Sequence, residues 1–165
     1  QEQIMTGQVG DKMPAGSFGI MTAEGPGSIS TEDLFGGKKV VIFSVPGAFT
    51  PTCSNEHLPG YVDKADELAA GGVDTVACMA VNDVFVMDAW GKDRNVGDKV
   101  MMLADGNGDY AKALGLSLDA SGFGMGQRGQ RFSIIVDDGT ITHLNVEAPG
   151  EFSVSTCEYA LGQLS

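Results

Sequence analysis

The sequence predicts a layered α/β fold with a mixed central sheet flanked by helices. Short continuous runs of β-branched and aromatic residues recur, each bounded by glycine or proline. Stretches with helical spacing of apolar residues separate them, and such alternation implies parallel strands. An Asp-Gly hairpin signal near the C-terminus then adds an antiparallel pair. The composition agrees: 165 residues, 42% apolar and 19% charged, suit one domain (residues 1–165) with a buried core and exclude a disordered chain.

Lys38 to Val45 reads KKVVIFSV between Gly36-Gly37 and Pro46-Gly47, the pattern of a strand buried on both faces. After a loop, Pro46 to Thr52, the stretch Cys53 to Ala70 places Leu58, Tyr61, Val62, Ala65, Leu68 and Ala69 near helical spacing. Pro59 lies inside it and is expected to kink the helix. Gly71-Gly72 ends that helix, and Asp74 to Val81, DTVACMAV, is the second buried strand. Asp83 caps a helix running to Lys92. Lys99 to Leu103 is a third strand, and Tyr110 to Leu114 a short helix. Arg131 to Val136 and Thr140 to Val146 flank Asp137-Asp138-Gly139 as a hairpin. Ser155-Thr156-Cys157-Glu158 has the spacing of a capping box, with Ser155 as N-cap of the last helix. No internal repeat or domain boundary is visible.

Ten Lys and Arg face 22 Asp and Glu, a net charge of −12. Such a surface repels phosphate backbones and anionic lipids, so neither nucleic acid nor membrane is an expected partner. No apolar run approaches the ~20 residues of a bilayer span. Gln1 to Gly10 has no basic region followed by an apolar stretch, so no secretory signal is expected. Met5 is a candidate native start, and removal of a leader would leave a similar beginning. The sparse cysteines Cys53, Cys78 and Cys157 point to a reducing compartment: cytoplasm, or an organelle after leader removal.

Cys53 is singled out by its place in the first helical turn after a tight loop. There, unpaired backbone N–H groups and the positive end of the helix dipole stabilise a thiolate. Thr50 stands where a Cys-x-x-Cys exchanger would carry its first cysteine, so Cys53 has no short-loop disulfide partner. A hydroxyl at that position can hydrogen-bond the sulfur or a bound oxygen atom, or simply cap the loop.

The segment Val45-Pro46-Gly47-Ala48-Phe49-Thr50-Pro51-Thr52-Cys53-Ser54 resembles the active-site loop of the peroxiredoxins, whose pattern is Pro-x-x-x-Thr-x-x-Cys. His57-Leu58-Pro59-Gly60-Tyr61, Ala80-Val81-Asn82-Asp83, Phe85-Val86-Met87, Ala89-Trp90 and Arg131-Phe132-Ser133 are similar to the type II branch. That branch includes peroxiredoxin-5-like and glutaredoxin-dependent enzymes. The resemblance runs from Val9 to Leu164. It implies a thioredoxin-like fold and peroxide reduction through a sulfenic acid on Cys53, with hydrogen peroxide and alkyl hydroperoxides as substrates. Thr50 would contact the peroxide, Pro46 would shield the pocket, and Arg131 would be the remote cation. No metal or organic cofactor is implied, because sulfur carries the electrons. If Gly126 to Arg131 is extended, Arg128 and Arg131 point to opposite faces. Arg131 alone is therefore assigned to the pocket, and Arg128 to a surface ion pair.

The resemblance also implies a homodimer built from loops near the site, for which Phe49, Phe85 and Trp90 are the available apolar residues. The run Ala148 to Ser155 is similar to glutaredoxin-dependent relatives, so glutathione with glutaredoxin is the expected reductant. Internal resolution by Cys157 with thioredoxin is the alternative. Cys78, in mid-strand, is expected to be a buried filler. His57, four residues after Cys53, is read as a structural hydrogen-bonder, with an effect on Cys53 reactivity as the alternative. A zinc site is disfavoured by the lack of Cys-x-x-Cys or His-x-x-x-His pairs. Asp105-Gly106-Asn107-Gly108-Asp109 resembles the start of a calcium loop but lacks its closing Glu, and is read as a turn. Two rival activities are a sensor that signals through oxidised Cys53 without turnover, and an exchanger of protein disulfides.

Overall fold

Seven strands form one sheet in the order β2 (Gly25–Ser30), β1 (Ser17–Thr22), β5 (Met101–Ala104), β4 (Thr75–Ala80), β3 (Lys39–Ser44), β8 (Phe132–Asp137) and β9 (Thr140–Val146), in a computed structural model that describes residues 8–164. Met5, the candidate start, lies outside the described residues. The strands β3 (Lys39–Ser44), β4 (Thr75–Ala80) and β5 (Met101–Ala104) run parallel. β8 (Phe132–Asp137) and β9 (Thr140–Val146) pair antiparallel beside β3. The fold is thioredoxin-like, and its sheet is mixed as the sequence predicts.

The alternation of side chains along a strand distributes β3 and β4 between two cores. Val41, Phe43, Val76 and Cys78 face a core completed by Leu58, Tyr61, Leu68 and Trp90. Val40, Ile42, Ala77 and Met79 face the other, with Leu34, Phe35, Tyr110 and Leu114. Layers of helix on both faces explain why these strands read as unbroken apolar runs. The helices are α1 (Thr31–Phe35), α2 (Leu58–Asp63), α3 (Ala65–Ala70), α4 (Val84–Asp93), α5 (Asp109–Leu114) and α6 (Cys157–Leu164). Asp138 and Gly139 take φ of 48° and 83° between β8 and β9, the backbone that a two-residue hairpin turn demands.

Four features depart from the sequence reading. β1 (Ser17–Thr22) and β2 (Gly25–Ser30) form an N-terminal hairpin that the sequence pattern does not signal. β2 reads GPGSIS and lies at the sheet edge, where Pro26 is tolerated. β6 (Ser117–Asp119) and β7 (Gln127–Gly129) form a separate two-stranded sheet. The long helix is irregular before Pro59, as expected, but it also breaks a second time at Lys64, with φ −111° and ψ 14°. The last helix is capped by Thr156, whose Oγ1 accepts from the Tyr159 N–H at 3.1 Å, rather than by Ser155. Glu158, the supposed box partner, instead pairs with Lys64 at 3.0 Å.

The Asp105 segment is a helix-entry turn. The buried Asp105 carboxylate accepts from the N–H groups of Tyr110 and Ala111 at 3.0 and 2.9 Å, and Gly108 takes φ 76° before α5. Among the described residues, no helix is long and apolar enough to cross a membrane.

Candidate active site around Cys53

β3 delivers the chain into a tight loop at Pro46. Within it, the Thr50 hydroxyl donates to the Gly47 carbonyl at 2.7 Å, and the Asn82 side chain accepts from the Ala48 N–H at 2.9 Å. Phe49 takes φ 67°, a conformation disfavoured for a bulky side chain. Helix begins at Pro51, so Cys53 is the third helical residue and its N–H is among those without an intrahelical partner. From Cys53 to His57 the helix widens into a π-turn, in which the Leu58 N–H reaches the Cys53 carbonyl. Pro59 offers no N–H for the next bond of an ordinary helix, and the wider turn precedes it. Cys53 is fully buried.

Arg131, immediately before β8, reaches across from the neighbouring strand. One guanidinium nitrogen lies 3.2 Å from Cys53 Sγ and the other 2.8 Å from His57 Nδ1. The guanidinium also lies 5.7 Å from the centre of the Phe152 ring. Arginine can only donate, so His57 Nδ1 is the acceptor. Its Nε2 then carries the proton and donates to the Ser155 carbonyl at 2.9 Å. Burial, and then the Arg131 charge, lower the His57 pKa to about 3 against the favourable pull of Ser155. His57 is thus a neutral bracket that aims one fork of Arg131 at the sulfur.

The bracket is held in turn. Tyr61 Oη donates to the same Ser155 carbonyl at 2.8 Å. The Ser155 N–H and hydroxyl both donate to Glu147 Oε2, at 2.8 and 2.7 Å. Ser155 is therefore an anchor rather than a helix cap. Glu147 and Ser155 escape sequence reasoning as site residues because they lie far from His57 in the chain, and Tyr61, though within the His57–Tyr61 motif, shows no sign in the sequence of its bond to Ser155. The Cys53–His57 spacing was the visible signal.

Thr50 and Pro46 sit in the loop that leads into the helix of Cys53, and Pro46 lines the same cavity as Arg131. The Thr50 proton is committed to Gly47, which leaves its oxygen free to accept. Pro46, Thr52, Met125, Arg131 and Phe152 line a mostly apolar cavity of about 450 Å³. A larger groove of about 1120 Å³ runs between α3, α4 and β5 and holds none of these residues. Arg128 is the main correction. It makes no ion pair among the described residues, and its Nε donates to the Met125 carbonyl at 2.9 Å. One terminal nitrogen approaches the carbonyls of Val81 and Pro46 at 3.2 and 3.5 Å. The expectation failed because Gly126 to Arg131 is not one strand: β7 ends at Gly129, and β8 starts at Phe132.

Trp90 is also corrected. It is fully buried and donates to Ser54 Oγ at 2.9 Å, so it offers no surface. Phe49 and Phe85 remain exposed, as does Phe123. Cys78 is buried at the centre of β4, and burial holds its thiol pKa well above the usual range. Cys157 is buried in the first turn of α6, and burial pushes its pKa up to about 12. Neither environment favours a thiolate.

The His57 environment fixes a pH dependence. The unfolded imidazole takes a proton below about pH 6.5, whereas the folded one resists until about pH 3. Stability must therefore fall as pH drops from 7, by about 2 kcal/mol at pH 5. Urea titrations at pH 7 and pH 5 should show this loss, and His57→Asn should remove most of the difference. An unchanged difference in the variant would mean that His57 is not the group.

The Redoxin family model matches residues 8–161. The chain is 47% identical to Peroxiredoxin-2C of Oryza sativa subsp. japonica, covering 94% of this chain and 97% of that one. It is 45% identical to the chloroplastic Peroxiredoxin-2E of Arabidopsis thaliana, covering 94% of this chain and 68% of that one. The solved structure of reduced Prx3 from Vibrio vulnificus in complex with hydrogen peroxide is similar at 50% identity. It has a TM-score of 0.91, with 99% of this chain and 100% of that one covered.

Proposed function

The chain belongs to the peroxiredoxin family and is a thiol-dependent peroxidase, and we propose that Cys53 is its peroxidatic sulfur. The observation that carries the assignment is the Arg131 guanidinium nitrogen 3.2 Å from a Cys53 sulfur at a helix start. The thiolate attacks one peroxide oxygen, and the O–O bond breaks. The sulfur loses two electrons and becomes a sulfenic acid, and the other oxygen leaves as water or an alcohol after taking a proton. Arg131 and the Cys53 N–H stabilise charge building on the leaving oxygen. Thr50 accepts a hydrogen bond from the peroxide O–H, and Pro46 walls off solvent. The reaction requires no metal or organic cofactor, because sulfur supplies both electrons.

Hydrogen peroxide and alkyl hydroperoxides are the proposed substrates. The hydrogen peroxide in the Vibrio relative supports the first, and the apolar cavity beside Arg131 supports the second. The exposed Phe49, Phe85 and Phe123 support a homodimer formed by loops around the site. The three unpaired thiols suit a reducing compartment such as the cytoplasm.

Glutathione, assisted by glutaredoxin, is the proposed reductant. One glutathione thiol displaces water from the sulfenic acid to give a mixed disulfide. A second attacks that disulfide, releasing oxidised glutathione and the Cys53 thiolate. Both other cysteines are buried in regular structure with raised pKa values, which disfavours an internal disulfide. Steady-state turnover with hydrogen peroxide, glutathione and glutaredoxin tests this reading. Cys157→Ser should keep wild-type rates. Its collapse, with a Cys53–Cys157 disulfide in the oxidised wild type, would assign resolution to Cys157 and thioredoxin. Oxidation that stops after one equivalent with either reductant would instead indicate a sensor.

A further inference from the structure

We infer that Arg128 is a positioning residue that clamps the Pro46–Phe49 turn closed over Cys53, and so sets the rate at which the buried sulfur is released for recycling. The inference rests on Cys53 being the peroxidatic residue.

Arg128 draws three separate pieces of chain together. The Met125 carbonyl belongs to the loop before β7, the Val81 carbonyl to the turn just after β4, and the Pro46 carbonyl, 3.5 Å away, to the loop before Cys53. Carbonyls accept only, and a guanidinium is a rigid planar set of donors, so one side chain can fix their relative positions. The fit around it is close. A Cβ placed on Gly47 would lie 3.2 Å from an Arg128 terminal nitrogen and 3.1 Å from Met125 Cε.

The clamped segment needs holding. Phe49 is bulky, half exposed and at φ 67°, so the turn does not favour its closed form by itself. The Asn82 side chain, accepting from the Ala48 N–H, and the Thr50 hydroxyl and N–H, both donating to the Gly47 carbonyl, also tie it down. Yet recycling needs the turn to yield, because Cys53 is fully buried and an external thiol must reach its sulfur. Closed geometry favours attack on peroxide, and open geometry favours release. A residue that touches the turn but not the sulfur can shift that balance.

The clamp predicts opposite effects on two rates. The protein has a single tryptophan, Trp90, whose indole N–H donates to Ser54 beside Cys53, so its fluorescence reports on this turn. Stopped-flow fluorescence would measure oxidation of the reduced protein by hydrogen peroxide. Mass spectrometry would measure capture of the sulfenic acid by dimedone, which forms a carbon–sulfur bond with loss of water. In Arg128→Met, oxidation should slow about tenfold and capture should accelerate severalfold. Gly47→Ala, which crowds the same guanidinium, should show the same divergence in weaker form and carries the test if Arg128→Met does not fold. Any other pattern, including both rates falling together or neither moving, overturns the clamp. Failure of the wild-type Cys53 to oxidise would instead overturn the underlying assignment.

Discussion

Cys53→Ser should lower peroxide consumption to background, a fall of at least about a thousandfold, while Cys78→Ser keeps most of the wild-type rate. A serine hydroxyl at position 53 gives up neither its proton nor two electrons at neutral pH, so no sulfenic acid forms. Arg131 would still donate toward that oxygen and His57 would still bracket Arg131, so the variant should fold. Cys78 lies in the same core as Cys53 but at the centre of β4, with its thiol held protonated by burial. Its replacement by serine places a hydroxyl in an apolar strand and should cost about 1–3 kcal/mol of stability. The two variants thus separate chemistry from packing: one loses activity with little change in unfolding midpoint, and the other shows the reverse. Near wild-type turnover by Cys53→Ser, measured as peroxide loss with glutathione and glutaredoxin, would remove the central assignment.

Much of this site is legible in the chain because its parts are local. Cys53, Thr50 and Pro46 lie within eight residues, and the apolar run before them marks the strand that delivers them. The β8–β9 hairpin is equally plain, since Asp138 and Gly139 are residues that tolerate positive φ. Edge elements are not, because a strand with one paired side needs little apolar surface. β2 carries only Ile29 as a large apolar side chain.

Long-range polar contacts leave no periodic trace. Ser155 has the capping-box spacing to Glu158, but Glu147, eight residues earlier, takes Ser155 away and leaves the cap to Thr156. Arg128 and Arg131 look like a pair on opposite faces of a strand only if the strand is continuous. With β7 and β8 separate, both side chains reach the surroundings of Cys53, one onto the Pro46 carbonyl of its loop and one onto its sulfur.

Arg131→Met should slow oxidation of Cys53 by about a hundredfold to a thousandfold, the range seen when a single donor to developing negative charge is removed. Two interactions disappear together, the one with Sγ and the one with His57 Nδ1. Arg131→Lys retains the charge but cannot span both acceptors, because an ammonium is a point donor and a guanidinium a fork. It should fall between Arg131→Met and the wild type, and its loss should exceed that of Arg128→Lys, whose contacts are carbonyls and not the sulfur. His57→Asn tests the bracket itself. If His57 acts only by aiming Arg131, adding His57→Asn to Arg131→Met should slow oxidation little further, because the aimed group is already gone. Stopped-flow oxidation by hydrogen peroxide at pH 7 reads the five variants and the wild type on one scale. Equal small losses in Arg131→Lys and Arg128→Lys would dissolve the distinction between a residue on the sulfur and a residue on the loop. Full additivity of His57→Asn with Arg131→Met would show that the imidazole acts on Cys53 by some route other than the guanidinium.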